Sequence, residues 1–327
     1  MAHQRVFTLS STRHVDGLLG QTFATRREIV SYAVAAAVAV SGILAASATG
    51  PAVMMITSIM ATMVAAAGLA AGSAQADERI PGPAGLLYAD DGGSGGVPVV
   101  FIHSYAGDTT HWTAQLAHLR KTRRAIALDL RGHGQSQPPA DLDYSIDGLV
   151  ADVAAVADAL KLERFVLVGH SMGGPTAIAY AAANPSKVAG LVLVASAAKS
   201  PPDMANEVIA SLERDFSTVY AGYAETLISG ARPDVAAKVR KGMLAVDEKT
   251  AMTIIKVLFV HDPLPGLKQY PGPKLAITTA HGDTPMDLHN QADLRHVQIK
   301  DTSHWPQMDK PEEFNRVLDE FLKQHVD

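Results

Sequence analysis

The sequence predicts an α/β protein built on a mostly parallel sheet, and two observations carry that expectation. From Val97 onward short apolar runs alternate with helix-like stretches, the pattern of βαβ units. Within that alternation, Gly169-His170-Ser171-Met172-Gly173-Gly174 sets a Gly-x-Ser-x-Gly between a strand and a helix, a sharp turn that exposes a serine.

Taken in order, Val97 to His103 reads as a strand closed by the loop Ser104-Tyr105-Ala106-Gly107, and Ala125 to Leu130 as the next strand. Ile146 to Leu160 reads as a helix, because Ile146, Leu149, Val150, Val153, Val156, Ala157 and Leu160 recur three or four apart behind Ser145 or Asp147. Phe165 to Gly169 is a strand, Pro175 to Asn184 a helix ending before Pro185, and Gly190 to Ala195 another buried strand. Between about Ala197 and Pro273 the periodicity is helical and punctuated by prolines, which predicts a lid of about residues 197–273 inserted between two strands. The sheet resumes at Lys274 to Ala280 and Val297 to Ile299, and Pro311 to Gln324 closes the chain as an amphipathic helix. Asp77 to Val97 leaves room for at most one good early strand, around Gly85 to Asp90.

Composition narrows the function. The 327 residues carry 28 basic and 33 acidic side chains, a net charge of −5, with no basic block in the globular part, so nucleic acid is not an expected partner. The absence of cysteine excludes a disulfide framework, a thiolate metal site and a cysteine nucleophile.

From Ile29 to Ala76 there is no charged residue. Two apolar segments, Ile29 to Thr49 and Ala52 to Ala71, meet at Gly50-Pro51, and each is about as long as a membrane-spanning helix. Arg5, Arg13, Arg26 and Arg27 all precede them, which would leave the extreme N-terminus in the cytoplasm. Ala74-Gln75-Ala76 before Asp77 reads as an export cleavage site, and Thr25-Arg26-Arg27 resembles a twin-arginine signal. The expectation is residues 1–76 as an export signal or membrane anchor, residues 77–327 as the folded α/β domain, and a periplasmic or secreted location after cleavage near Ala76. An uncleaved anchor or hairpin over residues 29–71, or a true start at Met54, Met55 or Met60, are the alternatives.

Chemistry concentrates on Ser171. A serine hydroxyl is a weak nucleophile and needs an adjacent base, while the helix N-terminus behind it brings partial positive charge and free N–H groups to developing negative charge. The Met172 N–H is therefore one expected oxyanion donor. His304, in Thr302-Ser303-His304-Trp305, is the one histidine of 13 placed just after the last strand and before the closing helix, where a base belongs. Asp283 follows the strand Lys274 to Ala280 and is the expected partner of that imidazole, with Asp287 four residues on as the alternative. The order Ser171, Asp283, His304 fits the strand-to-helix serine plan. The Tyr105 N–H is a second expected oxyanion donor on position alone. Asp129 to Ser136 reads as a structural turn, His170 as packing, and His111 and Trp112 as support beneath the active-site loop.

His103 to Gly107, Asp129 to Ser136, Gly169 to Gly174 and Ser303-His304-Trp305 together resemble the α/β-hydrolase superfamily, in its esterase, cofactor-free haloperoxidase and lactonase-like branch, over about Leu86 to Val326. The resemblance implies an eight-stranded, mostly parallel sheet with helices on both faces, a lid over the serine, and hydrolysis through an acyl-enzyme, with no metal or organic cofactor. The serine at 171 sets the chain apart from branches that use aspartate there. Two departures stand out: Ser104 replaces the glycine usual in the oxyanion loop, and the first family strand is expected to be vestigial.

The expected partner is a small ester-type substrate, partly apolar because the lid carries Phe216, Tyr220, Tyr223, Leu227, Met243, Leu244, Met252, Ile255, Leu258 and Phe259, which could equally be the lid's own core. Two other functions stay open: a ligand-binding signalling protein on the same fold, or a C–C hydrolase, lyase, lactonase or perhydrolase using the same triad.

Overall fold

The computed structural model describes residues 76–280, 286–292 and 294–327. The apolar segments of residues 29–71 lie outside the described residues, as do Ala74 and Gln75 of the cleavage motif. Among the described residues no helix is long and apolar enough to cross a membrane.

Eight strands form one sheet: β1 Ala76–Gly82, β2 Gly85–Gly92, β3 Val99–Ile102, β4 Ala125–Asp129, β5 Phe165–His170, β6 Val188–Val194, β7 Lys274–Thr279 and β8 His296–Ile299. Their order is β1-β2-β4-β3-β5-β6-β7-β8. The β1/β2 and β2/β4 pairs are antiparallel and every other pair is parallel. Every residue of β3, β4, β5 and β6 is buried, because helices cover both faces, and this is why these strands read as continuous apolar runs.

Among the described residues the α-helices are α1 Thr113–Leu119, α2 Ile146–Ala159, α3 Gly173–Ala183, α4 Pro202–Arg214, α5 Phe216–Ile228, α6 Pro233–Leu244, α7 Glu248–Val260, α8 Leu264–Gln269, α9 Leu288–Ala292, α10 Pro306–Asp309 and α11 Pro311–His325. Ser145 caps α2 by accepting the Gly148 N–H at 3.1 Å. Helices α4 to α8 occupy the inserted segment, and prolines begin α4 and α6, where a missing N–H costs nothing.

One expectation is corrected. Two strands, not one, lie before β3, and β1 pairs with β2 along its whole length from Ala76↔Asp91 to Gly82↔Gly85. The strand Ala-Asp-Glu-Arg-Ile-Pro-Gly escapes a hydrophobicity reading because it is a sheet edge, where one apolar side chain, Ile80 at 3% exposure, is enough to anchor it. Gly85, at φ +142°, closes the tight turn between the two strands.

The turn after β4 is the structural element expected from Asp129 to Ser136. The Arg131 guanidinium grips Asp152 of α2 at 2.9 and 2.8 Å, and the Arg131 N–H reaches the same carboxylate at 3.0 Å. Both side chains are nearly sealed from water, at 4% and 0% exposure. Without Asp152, Arg131 keeps among the described residues only the half-exposed Asp143 as an ion-pair partner, at 3.1 Å, so Asp152→Ala should cost about 3–5 kcal/mol in urea-monitored unfolding. A cost below about 1 kcal/mol would show that the pair is not structural.

Candidate active site

The chain leaves β3 in one direction to form β4 and crosses back to form β5 on the other side, so the loops after β3 and β5 diverge and leave a crevice at the carboxyl end of the sheet. Ser171 stands there, immediately after β5, at φ 51°. Its N–H donates to Val194 O of β6 at 2.9 Å and its C=O accepts the Gly174 N–H at 2.8 Å, which pins the turn. A Cβ on Gly169 would collide with the Gly173 carbonyl, and one on Gly173 would lie 2.6 Å from Ile102 O, so the motif's glycines are required by the closeness of strand, turn and helix. Met172 is the residue before α3, where the first-turn N–H groups have no partners within the helix.

The loop after β3 is braced from below. Leu130 N–H donates to His103 Nε2 at 3.0 Å, so His103 carries its proton on Nδ1 and donates it to Ser104 O at 2.7 Å. Gly107 N–H meets the same carbonyl at 3.0 Å. Because the peptide is planar and trans, the Tyr105 N–H points opposite to that doubly held carbonyl. Burial, with His133 nearby, pushes the His103 pKa down to about 3, so this brace stays neutral. Asp129 joins the same support through Thr109 N–H at 2.6 Å and Gln135 N–H at 2.8 Å, and burial raises its carboxyl to about 6. His111 and Trp112 are buried beneath this loop, as expected.

Ser104, Tyr105, Ser171, Met172, His304 and Trp305 all line one cavity of about 150 Å³. The expected serine, base and both expected oxyanion donors therefore meet at one place. The lid supplies apolar walls from Tyr223, Leu227, Met243, Ile255, Leu258 and Phe259. The remaining lid aromatics do other work: Tyr220 stacks on Phe216 with ring centroids 4.8 Å apart, and its hydroxyl donates to Met243 O at 3.0 Å. That leaves the Tyr105 hydroxyl to donate to Tyr220 at 2.6 Å, tying the β3 loop to the lid. Leu244 is 55% exposed and belongs to neither group. Ser200 and His261, polar residues of the lid segment, also line the cavity; no motif marks them, and burial is the main reason that the His261 pKa falls below its ordinary value.

Residues 97–311 match the family described by the alpha/beta hydrolase fold. This chain belongs to that family. A 2-hydroxymuconate semialdehyde hydrolase from Pseudomonas sp. (strain CF600) is 41% identical over 110 residues, 33% of this chain and 39% of the relative. A non-heme chloroperoxidase from Streptomyces lividans is 41% identical over 121 residues, 36% of this chain and 42% of the relative. The chain thus spans about two fifths of the length of these relatives. Among solved structures, a thermophilic esterase from Thermogutta terrifontis aligns with a TM-score of 0.65 at 25% identity, covering 77% of this chain and 100% of that one.

Two features of this α/β hydrolase were not visible in the sequence. The Ser104 hydroxyl accepts the Trp305 indole N–H at 3.3 Å, joining the loop after β3 to the residue after His304. His170 is more than packing: it bonds the His304 backbone, a contact across 134 residues that no local pattern reveals. Asp283 lies outside the described residues. Asp287 is buried and bridges Ala197 in antiparallel fashion, lining a second, small cavity with Ser196 and His289 instead of the one that holds Ser171. Among the described residues, no group of three or more His, Cys, Asp or Glu side chains could hold a metal ion.

Proposed function

We propose that this protein is a serine hydrolase that cleaves a carboxylic ester, lactone or thioester through an acyl-enzyme. The observation that carries the reading is Ser171 at a left-handed φ of 51° on the strand-to-helix turn, opening into the same cavity as His304. A non-glycine residue held in that region costs energy, and such strain collects where a side chain must be presented. His304 removes the Ser171 proton as the serine attacks the carbonyl, and the Met172 and Tyr105 N–H groups receive the oxyanion. Asp283 orients the imidazole and stabilises its charged form. The intermediate collapses as the C–O bond breaks and the departing alcohol takes the proton from His304, leaving the acyl-enzyme. Water, deprotonated by His304, then attacks the acyl carbonyl, and Ser171 leaves with that proton as the acid is released.

The apolar lid walls favour a substrate with a hydrocarbon portion beside the scissile carbonyl. A fluorophosphonate probe followed by a panel of p-nitrophenyl esters tests nucleophile and substrate class together. Labelling of Ser171 with turnover rising toward medium acyl chains is expected. Absence of both, with tight binding of a small ligand, would mean that the fold serves as a receptor.

A further inference from the structure

We propose that His170 is a positioning residue for His304, fixing the base relative to the nucleophile; this rests on the reading of His304 as the base. Gln115 Nε2 donates to Gln307 O at 3.1 Å and to Asn315 Oδ1 at 3.2 Å, anchoring Gln307 in the core. Gln307 Nε2 in turn donates to His170 Nδ1 at 3.1 Å. An imidazole that accepts at Nδ1 carries its proton at Nε2, and that proton goes to His304 O at 2.8 Å. Burial keeps the His170 ring neutral, well below its ordinary pKa, so the tautomer is stable in use.

On the other side of His304, its own N–H donates to Leu227 O of the lid helix α5 at 3.1 Å. Both peptide groups flanking the base are therefore held. His170 is also the residue before Ser171, so one peptide link joins the nucleophile to the group that holds the base. The two reacting side chains are registered through that link.

Two variants and one labelling experiment decide the matter. With ¹⁵N-histidine at pH 7.5, His170 is expected as the Nε2–H tautomer; the Nδ1–H form would overturn the proposal. His170→Leu should lower kcat on p-nitrophenyl butyrate by about 10- to 100-fold with KM within about twofold, the size of effect expected from a misplaced catalytic group. His170→Gln, whose amide nitrogen reaches the Nε2 position, should recover kcat to within about threefold of wild type. The His304 ring resonances should shift in His170→Leu and return in His170→Gln. If His170→Leu does not fold, Gln307→Leu should shift the same resonances in the same direction by freeing the His170 tautomer. Equal kcat and unchanged His304 resonances in His170→Leu, or His170→Gln as impaired as His170→Leu, would refute it. Because the resonances are read without turnover, an inactive wild type overturns the hydrolase reading while the positioning role is still decided.

Discussion

Ser171→Ala is expected to lower kcat on any accepted ester by about 10⁴- to 10⁶-fold, the range seen when the nucleophile of a triad is removed, with the residue left by oxyanion stabilisation and binding alone. The fold should survive, because the turn is held by backbone bonds to Val194 and Gly174 that alanine keeps. Stability supplies a second reading of the same site. The left-handed region costs a non-glycine residue about 1–2 kcal/mol, and Ser171 sits in it at φ 51°. Alanine inherits that cost and glycine does not, although glycine gives back about 0.5–1 kcal/mol in unfolded-state entropy. Ser171→Gly should thus be as inactive as Ser171→Ala and at least as stable in urea. Turnover of Ser171→Ala within tenfold of wild type would remove Ser171 from the chemistry.

The second large effect is acid sensitivity. Burial lowers the pKa of His103 to about 3 and of His111 to about 4, and it depresses His133 and His170 as well. Each is neutral in the folded protein but takes a proton near its ordinary value of 6.5 when unfolded. The folded state therefore keeps its full advantage above pH 6.5 and loses it as pH falls toward the folded values, at about 1.4 kcal/mol per pH unit for each group. Asp129 works the other way: its carboxyl, raised to about 6, favours the folded state as pH falls from 6 toward 3.8. His103 and His111 against Asp129 leave about 1.4 kcal/mol per pH unit between about pH 6 and 4, and His133 and His170 act in the same direction, against a typical total of about 5–15 kcal/mol. Urea midpoints should fall progressively as pH drops from about 6 to 4. Among the described residues His111 Nδ1 has no hydrogen-bond partner, so His111→Phe should reduce the slope by about one histidine's share without losing a bond at that atom. A urea midpoint that stays constant from pH 7 to 4.5 would contradict the assignment.

Much of the architecture was legible in local pattern. The apolar runs of β3 to β6 marked buried parallel strands, the three-and-four spacing from Ile146 to Leu160 marked α2, and prolines marked the lid. β1 was missed because an edge strand buries one face and tolerates charge along its length. Sequence shows the side chain that Ser104 adds but not the Trp305 indole that it accepts from.

Sequence by itself determined that Ser171 stands on a strand-to-helix turn and that His304 follows the last strand, since both depend on periodicity and turn chemistry within a few residues. Only the tertiary structure decided what holds them. The bonds from His170 to His304, from His304 to Leu227 and from Trp305 to Ser104 join positions 134, 77 and 201 residues apart. Such contacts exist only after the sheet has stacked its strands in the order β4-β3-β5-β6-β7-β8, because hydrogen bonds reach about 3 Å and chain order carries no record of that distance.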